Sequence, residues 1–533
     1  MKTFENLKHK IMQHKKEKCI DKLYIETQLA KKDEDLNKLF RSLQKGILDY
    51  IEVNNKFKGT TVESDAKNLE NYRTKLHDTI RASIRQYPEI LYLKSATTFS
   101  EPLGLQVCRL GFEDLALEIL ETNKLTAFQQ NPAGENMAMI ALGNGMPKVA
   151  LKFFDYPESL DHICRHNHNI PNEYVIDNFN HSFYTGKDDN IAFTAIKAKS
   201  SKSANWSDEQ KSDYDNVILK CLENKDVRTY TSSNHHGIGI LMMQFQEHFD
   251  DEILFSAISH DDVCTQVNLY DGKNMGMYCA QAKKEKLVLK ALDNHIASTH
   301  QNHNGENIGM IATYHGLEEA TLKALENEEA SVQQNSNGQN IGMIAAFRQM
   351  EKATLKALDN KEASIQQDKF GENIGSHALK NNLFSCVYKA LENETAAAQY
   401  NYTHRTIAHK AIDKYKYSLS GPNEKSELLN IVSISLENPE ARKVQSENGN
   451  TIGMYLALNL FPNEETNELV QKAASYTDSC YIRNKDKKDI FTRAKERNFD
   501  LGEASLLDIQ KDELDEIIIK YGLDLNDTSE SEM

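Results

Sequence analysis

The sequence predicts an all-α fold, a solenoid of about ten 33-residue repeats with an N-terminal helical bundle as its cap. Three observations support this prediction. The 533 residues include only 24 glycines and 9 prolines, which argues against loop-rich and multi-hairpin β architectures. A short signature recurs every 33 residues. Stretches rich in Ala, Leu, Glu and Lys, all strong helix formers, separate its copies.

The N-terminal region lacks the signature. Its apolar residues nevertheless recur at helical spacing, for example at Leu36, Leu39, Leu43 and Ile47, so we expect an N-terminal helical domain over residues 1–95. The first twenty residues have a local charge of +4, which indicates a solvated helix face. Weak contact of this basic segment with acidic lipid or an acidic partner is the alternative.

The repeats occupy residues 96–500. Four leading glycines of the signature, Gly272, Gly305, Gly338 and Gly371, lie 33 residues apart, and looser copies extend the pattern in both directions with insertions near 160–188, 198–213 and 414–426. Each unit is predicted to be a turn and two short helices. A small residue in the first helix lets the next backbone approach closely, so stacked units should share one continuous core in an elongated, curved solenoid.

The C-terminal end is acidic. From Asp500 onward there are eleven Asp or Glu residues and only two lysines, Lys511 and Lys520. Apolar residues within 512–521 indicate a final helix. We therefore expect residues 501–533 to form a capping helix followed by an acidic tail.

Composition excludes several classes of function. A net charge of −16 argues against a broadly basic surface, so nucleic acid is not an expected partner. No window approaches the ~18 consecutive apolar residues of a membrane span. The N-terminus has no apolar segment typical of a Sec-type signal peptide. Eight cysteines without close pairs indicate reduced thiols, and hence a cytosolic protein.

A 33-residue turn-helix-helix repeat resembles the ankyrin family. The residues depart from the family pattern at two places: Asn307 stands at the Thr position with no proline after it, and Glu328-Glu329-Ala330 replaces the usual Gly-Ala-Asp. Asn307 can still cap the first helix, because its side-chain oxygen can accept a backbone N–H. Another paired-helix solenoid, of TPR or HEAT type, is the alternative.

The Ser/Glu-rich C-terminus, the repeats and the absence of a signal peptide together resemble the ankyrin-repeat effectors that intracellular bacterial pathogens inject through type IV secretion. This resemblance implies a virulence protein that is made in the bacterial cytoplasm and acts in the host cell. It also implies binding of one or more host proteins through the concave face of the repeats.

Residues that vary between otherwise regular repeats are the predicted contacts with that partner, because the constant positions serve stacking. They lie in the turns and first helices. The predicted protein-binding residues are His303, Tyr314, His315, Ser336, Phe347, Arg348, Lys369, Leu379 and Lys380.

An enzyme with a thiol-dependent or metal-dependent site is the alternative function. Its site would lie in the 155–190 insertion or in the N-terminal helical domain, with the repeats docking the substrate. His162, Cys164, His166 and His168 are residue types that suit Zn²⁺, but their spacing matches no structural zinc motif, so surface histidines are the prediction. Nucleotide-binding and hydrolase motifs are absent, and we predict no catalytic residue and no cofactor.

Two further residue sets have a structural and a functional interpretation. Cys108, Cys221 and Cys279 fall on predicted repeat helices and are expected to be small core residues, not nucleophiles. Trp206, the sole tryptophan, stands among polar residues in an insertion. It is expected either to pack locally or to anchor an interface.

Overall fold

The computed structural model describes residues 34–57, 63–93, 101–131, 134–156, 189–202, 206–231, 236–417 and 421–504. Within these ranges the regular elements are helices, with isolated bridges such as the one between Thr231 and Gly237. No helix in them is long and apolar enough to cross a membrane. The basic first twenty residues, the four residues His162, Cys164, His166 and His168, and residues 505–533 lie outside the described part. The chain divides into two units, 1–270 and 271–533.

The described part of the first unit begins with two 24-residue helices, α1 (Glu34–Phe57) and α2 (Glu63–Gln86). They contact each other along apolar faces, where Phe40 and Ile47 of α1 and Ile80 and Ile84 of α2 are buried. The remaining helices are α3 (Leu103–Arg109), α4 (Glu113–Thr122), α5 (Met137–Gly143), α6 (Pro147–Phe153), α7 (Ile191–Lys202), α8 (Asp208–Glu223), α9 (Lys225–Arg228), α10 (Ile238–Gln244), α11 (Asp251–Ile258) and α12 (Asp261–Cys264).

These shorter helices are stacked in pairs. The first helices α3, α5, α7 and α10 each contact the next one, and so do the outer helices α4, α6, α8 and α11. Residues 198–213 contribute the end of α7 and the start of α8, and Trp206 stacks on buried Tyr214 of α8 with ring centroids 4.1 Å apart. Trp206 therefore packs locally.

The second unit repeats the pattern with greater regularity. Its helices are α13 (Met275–Gln281), α14 (Glu285–Ala291), α15 (His295–Thr299), α16 (Ile308–Tyr314), α17 (Glu318–Ala324), α18 (Glu328–Val332), α19 (Ile341–Phe347), α20 (Glu351–Asp359), α21 (Lys361–Ile365), α22 (Ile374–Lys380), α23 (Phe384–Leu391), α24 (Glu394–Ala398), α25 (Ile407–Tyr417), α26 (Pro422–Glu437), α27 (Pro439–Lys443), α28 (Ile452–Asn459), α29 (Glu464–Ser475) and α30 (Ile490–Glu496). Residues within the predicted 414–426 insertion lengthen α25 and α26.

Each regular repeat has three helices, where the sequence predicted two. A one-turn third helix follows the outer helix, and in the repeat that begins at Asn304 it is α18. The departure from Gly-Ala-Asp explains it: Asn327 lies just beyond the outer helix, and its side chain accepts a hydrogen bond from the Ala330 N–H at 3.2 Å, which starts a new helical turn.

Asparagine also starts the first helices of the regular repeats, as predicted for Asn307. Its side-chain oxygen accepts from the Met310 N–H at 2.9 Å, and its amide donates to the Ala330 carbonyl at 2.9 Å. Asn340 and Asn373 make the same pair of bonds 33 and 66 residues later. The residue is fully buried, so one side chain caps the first helix and fixes the third helix of the same repeat.

Glycine in the first helix permits the close packing that the sequence predicted. A Cβ on Gly342 would lie 2.6 Å from the Ala357 Cβ of the outer helix and 2.5 Å from the Ile374 Cδ1 of the next first helix. Gly276, Gly309, Gly375 and Gly453 are in the same situation. Successive repeats therefore share one apolar core within the unit.

Side-chain amides join each repeat to the next. Asn327 donates to Ser298 Oγ at 2.9 Å, and Gln333 donates to the Thr299 carbonyl at 2.6 Å. Gln334 donates both to Gly338 of its own turn and to the Gln367 carbonyl of the following one. The equivalent bonds recur 33 residues later at Asn360, Gln366 and Gln367. We call this series of side-chain hydrogen bonds the amide ladder. It accounts for the constant Asn and Gln positions of the repeat.

The turns between repeats form stacked loops, which we call fingers. The backbone N–H of Ser336 donates to the Asn304 carbonyl at 2.7 Å, and that of Lys369 donates to the Asn337 carbonyl at 2.9 Å. Gly305 has a φ of 73°, and a Cβ there would meet the Ser336 nitrogen at 3.2 Å. Glycine is thus required both by the left-handed conformation and by the close approach of the next finger.

Candidate functional site

The fingers and first helices of residues 301–417 form a single surface, which we call the inner face. Two contacts join the first helices to the fingers. The Tyr314 hydroxyl of α16 donates to Gln339 Oε1 at 3.3 Å and accepts from Asn335 Nδ2 at 3.1 Å, both in the following finger. Lys410 of α25 pairs with Glu372 at the base of the preceding finger. The predicted binding residues all belong to these fingers, to the first helices or to the residue that follows a first helix, and Leu379 among them is buried.

Three of those residues occupy equivalent finger positions. His303, Ser336 and Lys369 have exposed side chains, while each backbone N–H is bonded to the preceding finger. The backbone hydrogen bonds between fingers therefore hold the Cα positions of these residues and leave their side chains in solvent. This is the arrangement expected of variable contact residues on a constant scaffold.

Tyr314 and Arg348 have partners within the repeats. Besides the hydroxyl contacts of Tyr314, the Arg348 guanidinium donates to the Tyr314 carbonyl at the end of α16. Burial raises the pKa of Tyr314, with a smaller contribution in the same direction from Glu306. These two side chains link one repeat to the next.

His315 is half-buried beside them. Burial lowers its pKa, and the charges of Lys283 and Arg348 lower it further. The imidazole is consequently neutral at pH 7. A neutral His315 adds no positive charge to this part of the inner face.

Phe347 and Lys380 occupy equivalent positions at the ends of α19 and α22, and both side chains are exposed. Lys380 Nζ lies 3.5 Å from Glu372 Oε1. The neighbouring Leu379 is buried, with only 2% of its surface accessible. The structure thus exposes Phe347 and Lys380 and places Leu379 beneath them in the core.

Exposed aromatic residues on the inner face were missed by the sequence analysis. Phe370 and Tyr402 are 59% and 70% exposed, lie on adjacent fingers and have ring centroids 6.2 Å apart. Tyr417, 73% exposed, ends α25. A signal existed for Phe370, since the equivalent residues of the three preceding repeats are Asp271, Asn304 and Asn337. Tyr417 lies in an insertion, outside the 33-residue register.

A cleft of about 330 Å³ opens on the inner face between α22 and α25. Lys410, one of the lining residues, forms an ion pair with Glu372 and also donates to Ser376 Oγ at 3.0 Å. Burial raises the pKa of Glu372, but Lys410 and Lys380 outweigh it and hold that pKa below the usual range, so the carboxylate is ionised. The cleft is lined by Ser376, Leu379, Lys380, Lys410, Asp413, Lys414 and Tyr417.

Asp413 and Lys414 support the walls of this cleft. Asp413 accepts from the Arg405 guanidinium at 2.6 Å and from the Tyr455 hydroxyl at 2.7 Å. Lys414 donates to the Leu379 carbonyl at 2.8 Å, near the C-terminal end of α22. A cation at a helix C-terminus is favourable because backbone carbonyls there lack partners.

The alternative enzyme site falls largely outside the described residues, because residues 157–188 contain His162, Cys164, His166 and His168. The N-terminal helices carry an open groove of about 670 Å³. It is lined by Leu39, Asn71, Thr74, Lys75, Asp78, Thr79, Ala82, Ser83, Gln86 and Tyr87, among which there is no histidine or cysteine. In the part of the chain that is described, no three His, Cys, Asp or Glu side chains cluster as metal ligands.

The six cysteines within the described ranges are all buried. Burial raises the pKa of the thiols of Cys108 and Cys221, and raises that of Cys386 to about 12. A thiol with a raised pKa is a poor nucleophile at neutral pH. Cys108, Cys221 and Cys279 lie in the core, where the sequence analysis expected them.

Comparison with known proteins gives a structural similarity and no sequence family. No family model matches the chain, and no curated protein matches it. The crystal structure of EF0377, an ankyrin repeat protein, is similar with a TM-score of 0.30 at 16% sequence identity. That similarity covers 38% of this chain and 97% of the other.

Proposed function

We propose that this chain is a protein-interaction module that binds a partner protein through the inner face of its second unit. The exposed aromatic side chains of Phe347, Phe370 and Tyr402 carry the proposal. Their backbone is held by the hydrogen bonds between fingers and by the amide ladder. Aromatic residues dominate the binding energy of protein interfaces. A rigid support reduces the entropy lost on binding.

Apart from the buried Leu379, the predicted binding residues divide into two groups under this proposal. His303, Ser336, Phe347, Lys369 and Lys380 have exposed side chains and are the proposed partner contacts. Tyr314, His315 and Arg348 are half-buried or bonded within the scaffold and are proposed to position the contact surface. The fold that supports them is proposed to be an ankyrin-like solenoid of about ten repeats, with residues 1–95 as its N-terminal cap.

The biological setting is part of the same proposal. The Ser/Glu-rich C-terminus and the resemblance to type IV-secreted ankyrin-repeat effectors support a chain that is injected into a host cell and binds a host protein there. A translocation reporter fused to the full chain tests this in bacteria with and without a working type IV system. Reporter signal in host cells only with the working system is the expected result, and equal signal from both strains contradicts it.

Affinity capture from eukaryotic cell lysate tests the binding function. The wild-type chain is compared with Phe347→Ala/Tyr402→Ala, and with a control, Ile296→Ala/Ile365→Ala, that removes exposed apolar side chains from third helices instead. We expect one stoichiometric protein to be retained by wild type and control and lost by the inner-face variant. The same proteins retained by all three would contradict the proposal.

A further inference from the structure

We propose that the inner face binds an acidic segment of its partner protein, with an apolar side chain of that segment seated in the cleft between α22 and α25. This inference rests on the proposed function, since it specifies the chemistry of the partner for the same surface. Three features of the surface support it: its charge, the cleft and the exposed rings around it.

The first feature is a reversal of charge. The chain has a net charge of −16, yet the fingers and first helices over 367–380 and 400–417 contain six Lys or Arg residues and three Asp or Glu residues. The outer and third helices of the same stack, over 318–333, 351–366, 384–399 and 422–443, contain eight cations and fourteen carboxylates. The positive charge therefore lies on the inner side, where it attracts acidic groups and repels basic ones.

Burial of carboxylates makes the surface of the inner face more positive than the residue counts alone indicate. The side chains of Asp368 and Glu372 are only 2% and 6% exposed, because they are bonded inside the scaffold. Lys369 and Lys416 are exposed, and the Lys380 side chain is 54% exposed. An approaching partner therefore meets cations at the surface, while most of the neutralising carboxylate is covered.

The second feature is the cleft itself. Its walls are formed by the apolar parts of Leu379 and Tyr417 and by the stems of Lys380 and Lys414. Lysine stems of this kind cover apolar surface. The ammonium groups of Lys410 and Lys414 and the Asp413 carboxylate are bonded within the walls, whereas the Lys380 side chain is 54% exposed and Lys416 lies beside Tyr417. The cleft is thus an apolar depression with exposed cations at its edge, and an apolar side chain flanked by carboxylates fits both properties.

The third feature is the row of exposed rings beside it. Tyr417 borders the cleft and has the Lys416 ammonium 5.2 Å from its ring centroid, while Phe370 and Tyr402 lie near Lys369 on the fingers. Alternating rings and cations favour a partner with both apolar and acidic side chains over a purely polyanionic one. A bare phosphate backbone offers no apolar group for the cleft, whereas the bases of single-stranded RNA can stack on exposed rings, so RNA is one arm of the test below.

Peptide display tests the inference with the full chain. A random 16-residue library is selected against wild type after removal of peptides that bind Lys369→Glu/Lys416→Glu. We expect the enriched peptides to share several Asp or Glu residues around one aromatic or aliphatic residue. A synthetic peptide of the consensus should bind at least ten-fold more weakly to Lys369→Glu/Lys416→Glu and to Tyr417→Ala, with affinity decreasing as salt increases.

A charge-reversal variant on the third and outer helices is the matched control. Lys361→Glu/Lys389→Glu makes the same charge change on the third and outer helices and should bind the peptide like wild type. Thermal unfolding confirms that each variant is folded. Equal loss in this control would show a general charge effect and overturn the inference. So would a neutral or basic consensus, a purely acidic consensus that binds Tyr417→Ala normally, or tighter binding of a single-stranded RNA 20-mer at the same lysines.

Two other results separate the inference from the proposed function. If lysate capture identifies a partner that depends on Phe347 and Tyr402 while no acidic consensus emerges, the inference fails and the proposed function stands. If wild type forms a dimer on sedimentation that Lys369→Glu/Lys416→Glu abolishes, the occupant is a second copy of this chain and the inference also fails.

Discussion

Two regions of the second unit have the same scaffold but differ in the side chains buried beneath the inner face. They are the regular repeats over 301–366 and the repeats that follow them, over 367–459. Where the regular repeats place Met343 and Ile344, the next first helix has Ser376 and His377, and the one after has His409 and Lys410. All of these side chains are buried or nearly so. The later repeats have therefore replaced an apolar seam by hydrogen-bonded and ionic pairs.

This difference shows that the residues that stack the repeats are not the residues that set the chemistry of the inner face. The capping asparagine and the helix glycine occur in both regions, as Asn340 and Gly342 and as Asn373 and Gly375. Buried ion pairs add little net stability, because desolvation offsets their attraction. The later repeats give up apolar burial and gain a basic, aromatic surface with a cleft, which is where we propose that the partner binds.

The largest expected effect concerns the buried ion pair. Glu372→Ala leaves the Lys410 ammonium beneath the surface without its carboxylate and should lower the free energy of unfolding by about 3 kcal/mol. Glu306→Ala, at the equivalent position of a regular repeat, removes only an acceptor for Asn302 and should cost about 1 kcal/mol. Urea denaturation measures both. Equal losses would mean that the two regions do not differ in this way.

The next effect is a pH dependence of stability to which His409, in the later repeats, should contribute most. His409 is fully buried, with its Nδ1 2.9 Å from Thr406 Oγ1, and burial lowers its pKa to about 4. Because the unfolded chain binds this proton near pH 6.5, stability should decrease as pH falls from about 6.5 to about 4, by on the order of 2 kcal/mol.

His409→Gln keeps hydrogen-bonding groups at this position but cannot titrate. Denaturation at pH 7 and at pH 4.5 should therefore show a smaller pH-dependent loss for this variant than for wild type. A His409→Gln protein that loses as much stability as wild type over the same interval would assign the pH dependence to other groups.

A smaller loss is expected from filling the seam between regular repeats. In Gly342→Ala the new Cβ lies within 2.6 Å of atoms in both neighbouring helices, so the helices must separate, at a cost of about 1–3 kcal/mol. Gly421→Ala is the control, because nothing lies within 4 Å of the Cβ there. Thermal unfolding should show a lower Tm for the first variant and little change for the second. A reversed order would refute the packing argument.

The smallest effect concerns the amide ladder. Gln334→Ala removes bonds to the carbonyls of Gly338 and Gln367 and should lower stability by about 1 kcal/mol. Gln445→Ala, which removes a single exposed bond to the Arg483 carbonyl, should cost less. Hydrogen exchange at the finger amides, followed by mass spectrometry, checks whether protection is lost next to each substitution. Unchanged exchange in both would mean that the ladder does not hold the fingers.

Much of the scaffold could be predicted because its determinants are local or periodic. The capping role of Asn307 depends on a backbone N–H three residues away, and the helix glycines recur at the same spacing as the repeat. The third helix was missed, although Asn327 is a capping residue of the same kind. A five-residue helix is too short to show apolar periodicity of its own.

The candidate site was predicted only in part. Exposed positions such as Lys369 and Phe347 follow from variation on a constant scaffold. The bond from Arg348 to the Tyr314 carbonyl joins residues 34 apart, and no pattern within one repeat reveals it. Nor does spacing alone show that Phe370 and Tyr402 are neighbours, because that depends on how closely the fingers stack.

By itself, the sequence determined the helical repeat, its period, its caps and its close-packed glycines, because each of these is set by neighbours along the chain or by the repeat length. Only the tertiary structure decided which variable residues face solvent, where the cleft opens and which charges are covered. Those properties depend on atoms about 33 residues apart that meet only when the repeats stack. The physical reason is that side-chain burial is a property of the assembled stack and not of any single repeat.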